Sequence, residues 1–257
     1  MSAPTPEEIS VLTKFRPRLT DLQLNEERNS DMDLLRWLRA REYNLDRAED
    51  MLRKNLDWRK IQKLDDADNY QPPPNFIDDF PYELIGFDRE NCPVVIFQSG
   101  RWDYKGAINS GIREEFLRFK EMISERIVRT MRGKITSEGI PVTQFVSIVD
   151  MGQISFRQTS ISVLQMLKEE VSRFEANYPE RLKATYVINI PWFFSIAMNF
   201  VHPFLTKRTL EKFNILKDET QWKEVLRELV SLEDLPVIYG GLNAKSRLNP
   251  SDAKIIE

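Results

Sequence analysis

The chain of 257 residues holds one cysteine, Cys92, and one histidine, His202. A single thiol excludes an internal disulfide and fits a reducing compartment. A single imidazole, with no thiolate cluster to help it, excludes a metal centre built on histidine or cysteine spacing. Glycine is also scarce, at nine residues. Gly100, Gly106 and Gly111 match neither G-x-G-x-x-G nor a Walker loop, so nucleotide phosphates lack their usual cradle. No G-x-S-x-G elbow presents a serine to His202, and Cys92 is followed by PVVIFQ, without the arginine a Cys-x5-Arg phosphatase loop needs. An excess of basic charge is missing as well. With 37 Lys and Arg against 40 Asp and Glu, the balance argues against nucleic acid as a partner. There is no run of 18 apolar residues to span a bilayer, and MSAPTPEEIS carries acids where a secretory signal needs a basic flank and an apolar run. The expectation is a soluble, cytoplasmic, non-enzymatic protein without a cofactor or metal.

What the chain does have is a core-forming hydrophobic content of 41% and two kinds of grammar. Residues 7–65 read as helices. In DMDLLRWLRARE (31–42), Leu34, Leu35 and Leu38 share one side. Asp46 and Glu49 have the spacing of a capping box that opens a helix through Met51, Leu52 and Leu56. The prolines of YQPPPNF (70–76) break this pattern, which puts a lobe boundary there: helical lobe 1–72, main domain 73–245, loose tail 246–257. Beyond it, strands alternate with helices. YELIGFDRENCPVVIF (82–97) reads as a hairpin turning at 88–91, followed by a helix over 110–131. The nearly continuous apolar run 142–152 reads as a strand buried on both faces. A helix over 159–177, strands at 184–190 and 213–216, and a helix at 221–230 complete the pattern, which predicts βαβ units and a largely parallel sheet.

Two helical stretches carry the functional argument. On the helix at 110–131, Phe116, Phe119, Ile123, Ile127 and Met131 fall within about 120° on a wheel, with Lys120 inside the stripe. Either Lys120 snorkels its ammonium to water, or it is a polar hook at the wall of an apolar cavity. In residues 192–205, apolar side chains fill an arc of roughly 240°, where a surface helix needs a stripe of only about 100°. Either this is an ordinary core helix, or it covers an apolar cavity while also touching a membrane surface. Thr206 can N-cap a short helix at 207–212, which gathers Lys207, Arg208, Thr209 and Lys212 around a helix N-terminus; solvated surface and an anion site are both consistent with that.

DLLRWLRARE, MLRKNLDWRK, NYPERL, INIPWFF, HPFLTKRTLEKF and LPVIYGG run in the order and spacing of the CRAL-TRIO lipid-binding family, which the chain resembles from about residue 10 to 242. The resemblance is strongest to the animal branch that includes supernatant protein factor (tocopherol-associated protein), whose members carry a GOLD domain after YGG; this chain stops before one would fit, and a member lacking it is expected. The resemblance implies an α/β CRAL-TRIO fold: a mixed, mostly parallel sheet flooring an apolar cavity that helices wall and gate, beside an N-terminal helical lobe. It implies cavity walls drawn from Ile96, Phe116, Phe119, Lys120, Ile123, Val149, Leu167, Phe174, Phe194, Ala197 and Val201, and a gate helix carrying Trp192, Phe193, Phe200 and Phe204. Residues that hold the headgroup in phosphatidylinositol-binding members match Arg41, Glu180, Thr209 and Lys212. Glu42 stands where those members often have lysine, and a carboxylate beside a phosphate is repulsive. The function implied is sequestration of one hydrophobic ligand (tocopherol, isoprenoid, retinoid or phosphatidylinositol) and its exchange by transient contact with a membrane surface. The expected chain is a monomer with no nucleic-acid partner. A lipid-gated protein-interaction module is the alternative.

Overall fold

The structure is a computed structural model that describes residues 2–249. The N-terminal part is helical: α1 (Pro6–Phe15), α2 (Asp31–Ala40) and α3 (Leu45–Ile61). Their apolar faces, including Phe15, Leu34, Leu35, Leu38 and Leu52, form one buried cluster. The cap of α3 differs from the expectation. Asn44 accepts the Arg47 backbone N–H at 3.0 Å, while Asp46 and Glu49 both pair with Arg18. Asn44 takes the cap because it precedes the first helical residue; Asp46 already lies inside the helix.

After the prolines a short helix, α4 (Phe76–Asp79), leads into the hairpin of β1 (Tyr82–Phe87) and β2 (Pro93–Phe97). Asn91, with φ +61°, makes the turn there, and its N–H reaches the Asp88 carbonyl at 3.0 Å. The predicted helix at 110–131 begins later and is preceded by another: α5 (Tyr104–Asn109) ends before Gly111, whose φ is +74°, and α6 runs Arg113–Thr130. Then follow β3 (Phe145–Asp150), α7 (Ile161–Asn177), β4 (Leu182–Ile188), α8 (Phe194–Val201), α9 (Lys207–Leu210), β5 (Phe213–Ile215) and α10 (Glu219–Leu229). Thr206 caps α9 as expected, accepting from the Thr209 N–H at 3.2 Å.

The strands form one sheet in the order β1-β2-β3-β4-β5, antiparallel at β1/β2 and parallel thereafter. Each parallel strand lies beside its predecessor in sequence, so right-handed crossovers carry the intervening helices to a single face. Val95 and Phe97 accordingly pack with α6 and α7, while Val94, Ile96, Val146 and Ile148 pack on the opposite face against Trp222 and Leu226 of α10. Gly100 is required where the turn after β2 meets the loop after β3, since a Cβ there would lie 1.9 Å from the Gly152 carbonyl oxygen.

The helical part is fastened to the sheet by buried charge. Asp33 accepts from Arg36 and from Arg181, each at 2.7 Å, and Arg36 donates to the Pro179 carbonyl at 2.9 Å. Arg59 of α3 pairs with Glu125 of α6 at 2.7 Å. The expected tail from 246 does not start loose. Leu248 is buried and Ser246 donates to Glu83 at 2.7 Å; residues 250–257 lie outside the described ones. Among the described residues, no helix is long and apolar enough to cross a membrane.

Candidate functional site

Between the sheet and its covering helices lies a cavity of about 300 Å³. Strand alternation builds the floor: Phe145, Ser147 and Val149 of β3 point into it, while Val146 and Ile148 point away. On β4 a register shift opposite Phe145 lets Leu182, Thr185 and Val187 all face the same way. Phe213 of β5 completes the floor. One wall is α6, through Leu117, Lys120, Glu121, Ser124 and Ile127; another is α7, through Val163, Leu167, Glu170, Val171 and Phe174. The remaining side is closed by α8 and its flanks, through Pro191, Phe193, Phe194, Ala197, Met198, Val201 and Leu205.

Of the wall residues expected from the resemblance, Lys120, Val149, Leu167, Phe174, Phe194, Ala197 and Val201 line this cavity. Ile96 does not; it sits at odd parity to Val95 and Phe97 and faces α10. Phe116, Phe119 and Ile123 do not line it either. They are buried in an aromatic core, where Phe80 lies 4.9 Å from Phe116 and Phe76 lies 5.5 Å from Phe119, each edge to face. The apolar stripe of α6 thus meets side chains supplied by 76–80 and Trp102, and its neighbouring face reaches the cavity. The lining residues missing from that expectation include Leu117, Glu121, Ser124, Glu170 and Val171 on α6 and α7, Ser147 and Thr185 on the floor, and Met198 on α8. An apolar/polar wheel cannot find a carboxylate that faces inward.

The covering segment is shorter than the apolar arc suggested. The α-helical part is eight residues, and 202–204 continue as a single tighter turn. Its inner side seals the cavity, while outside Trp192 is 82% and Ile196 42% exposed. Trp192 stacks on Phe156 from the loop before α7, with centroids 5.6 Å apart and planes at 14°. Phe193 is buried against the same ring. Phe200 and Phe204 are half-buried, and Lys168 of α7 places its ammonium 4.3 Å from the Phe204 ring centroid.

The polar groups fall into two sets. At the α9 end, Glu180 (φ +57°) meets Lys212 Nζ and Arg208 Nη1, each at 3.4 Å. Thr209 lines the cavity, with its hydroxyl 2.9 Å from that of Thr206. Three of the four expected headgroup residues therefore come together, with Arg208 added. Arg41 stands apart: it ends α2, donates to the adjoining Ala40 carbonyl at 3.1 Å, and forms no ion pair among the described residues. At the opposite, α6/α7 end, Lys120 pairs with Glu170 at 3.1 Å. Burial raises the Glu121 carboxyl above its ordinary pKa despite its bond to Arg173. Burial, with Glu170 nearby, also raises the Tyr104 phenol well above its usual range.

The CRAL/TRIO domain family matches residues 79–241 of the chain. Patellin-6 of Arabidopsis thaliana is 30% identical over 219 residues, covering 83% of this chain and 51% of that protein. Protein real-time of Anopheles gambiae is 27% identical over 240 residues, covering 92% of this chain and 35% of its own length; its Aedes aegypti counterpart is 26% identical over 240 residues, covering 92% and 37%. The chain thus spans about half, or less, of the length of these curated relatives. Among solved structures, the crystal structure of Sfh5 superposes with a TM-score of 0.73 at 17% identity, covering 96% of this chain and 91% of that one, a likeness of fold.

Proposed function

The chain belongs to the CRAL/TRIO domain family, a family of lipid-binding and lipid-transfer domains, and on that premise we propose that it takes up one apolar lipid in the cavity and exchanges it at membranes by displacement of α8. The observation that carries this reading is the closure of an apolar cavity by a short helical segment that also holds Trp192 and Ile196 out in solvent. The benefit is physical. At about 0.8 kcal/mol per CH₂, moving a roughly eighteen-carbon chain through water costs on the order of 14 kcal/mol. A shielding cavity removes most of that barrier without covalent chemistry. In this proposal the segment 192–205 is the gate, Trp192 and Ile196 meet the bilayer, and the chain stands in the animal supernatant protein factor branch, for which its motif order speaks. The direct test is organic extraction of the purified chain followed by mass spectrometry. About one lipid per chain is expected, and repeated extracts without stoichiometric lipid, combined with no uptake from liposomes, reject a carrier.

Glu180, Arg208, Thr209 and Lys212 form the second part of the proposal, a mouth-side site for a phosphorylated headgroup. Glu180 already occupies both cations, so a phosphate has to displace it, which favours a neutral lipid over an inositide. Replacing Thr209 and Lys212 together by alanine is expected to lower phosphatidylinositol transfer about tenfold, the scale of one lost charged hydrogen bond, and to leave transfer of a neutral isoprenoid within about twofold. Equal losses for both lipids would mean that these side chains serve the fold or docking instead.

A further inference from the structure

At the α6/α7 end of the cavity the polar groups do not pair off completely. Lys120 Nζ lies 3.1 Å from Glu170 Oε1, and 4.1 and 4.6 Å from the ring centroids of Phe97 and Trp102. Its charge is met by one carboxylate oxygen and two aromatic faces. The second oxygen of that carboxylate, Glu170 Oε2, is buried, and among the described residues no group donates to it. Nor does any described residue donate to Glu121 Oε2, although its companion oxygen takes Arg173 Nη1 at 3.0 Å. Of the donors nearby, the Gln158 amide is committed elsewhere, donating to Asp103 at 2.9 Å. An ionised carboxylate can only accept, and a buried acceptor left without a donor is costly. This pole of the cavity therefore offers acceptors that lack hydrogens.

We propose that Glu170 is the specificity-determining residue of the cavity: its Oε2 accepts the hydroxyl hydrogen of the ligand, which selects long-chain or polycyclic alcohols and phenols bound with the hydroxyl inward and the apolar body toward α8. The inference rests on the carrier reading above and narrows it. A hydrocarbon supplies no hydrogen to Glu170. An ether, ester or aldehyde brings a second acceptor against the carboxylate, and a fatty-acid anion brings a second negative charge. An alcohol supplies the missing hydrogen, and its oxygen accepts from Lys120, whose ammonium has three donors and directs one at Glu170 Oε1.

The test compares three probes with the same carbon skeleton, geranylgeraniol, its methyl ether and the parent hydrocarbon, partitioned between phosphatidylcholine vesicles and the full chain. Geranylgeraniol is expected to bind at least about tenfold tighter than the ether, because a site built to hydrogen-bond a hydroxyl penalises analogues that leave it unpaired. In Glu170→Gln, whose amide can donate to an ether oxygen, the alcohol-to-ether ratio is expected to fall at least about fivefold. Equal binding of alcohol and ether by the unmodified chain overturns the inference while leaving the carrier reading standing. A ratio that survives Glu170→Gln in a folded variant overturns the assignment to Glu170. Failure of all three probes to bind overturns the carrier reading itself. If Glu170→Gln does not fold, the ratio measured on the unmodified chain decides alone.

Discussion

Replacing Asp33 by alanine is expected to cost about 3–5 kcal/mol of folding stability, the range for removing one partner of a buried ion pair. At roughly 2–4 °C per kcal/mol for a chain of this size, the melting temperature should drop by about 10 °C. One oxygen of Asp33 accepts Arg36 Nε at 3.0 Å, Arg36 Nη2 at 2.7 Å and Arg181 Nη2 at 2.7 Å. All three side chains are under 10% exposed. Without the carboxylate, two guanidinium groups remain buried with nothing between them. The loss should be felt where the helical part meets the sheet, because Arg36 comes from α2 and Arg181 from the start of the β4 region. Asp31, two residues away, is the control: it is exposed and paired with Arg16, so Asp31→Ala should cost no more than about 1 kcal/mol. The pH dependence has a definite sign. Burial works against the charged form of Asp33, but Arg36 and Arg181 outweigh it and hold the folded pKa below the ordinary value. Its stabilisation is therefore complete above the unfolded carboxyl pKa, about 3.9, and disappears as pH falls through the folded one. The gap between the two proteins in urea melts should be constant from about pH 5 to 8 and close only in acid. A gap that widens in acid, or costs that are equal for Asp31 and Asp33, would show that the pair does not fasten the two parts together.

The elements of the fold were largely legible because each rests on local chemistry. The turn of the first hairpin is readable in DREN, the cap of α9 in Thr206, and the two-sided burial of β3 in FVSIVD. The cavity was legible where it depends on the same periodicities. Val149 and Leu167 face it because a strand and a helix each have an inward side. Ile96 shows where that reasoning stops. PVVIF is apolar on both faces, so the sequence cannot tell the face under α6 from the face under α10. Phe116 and Phe119 show a second limit. Their wheel position makes them inward, but what fills the space in front of them comes from Phe76, Phe80 and Trp102, at sequence separations of 14 to 43 residues. Glu170 is the third case. In a chain with 40 acidic residues, nothing local distinguishes a carboxylate turned into a cavity from one on a solvated helix face.

Substituting aspartate at both Trp192 and Ile196 is expected to lower the melting temperature by no more than about 6 °C and to slow lipid exchange with vesicles on the order of 100-fold or more. The two halves of this expectation come from different sides of α8. Inside, Phe194, Ala197, Met198 and Val201 face the cavity, so a charge there would be buried and unpaired and would unfold the domain. Outside, Trp192 and Ile196 are already in water, so a charge costs the closed state little beyond the loss of the Trp192–Phe156 stack, about 0.5–1.5 kcal/mol. If these side chains enter the bilayer during exchange, each aspartate adds up to about 2.5–3.5 kcal/mol to that step by insertion scales, and every 1.4 kcal/mol is tenfold. Phe200 and Phe204 are poorer probes of the same idea, since both are half-buried and Phe204 lies under the Lys168 ammonium; a charge at either would mix docking with stability. The measurement is transfer of a fluorescent retinoid between donor and acceptor vesicles, read beside a thermal melt. A melt within the expected range with slowed transfer assigns the outer arc to the membrane. The same melt with unchanged transfer removes the membrane from the account of α8, and earlier melting returns the whole segment to the core.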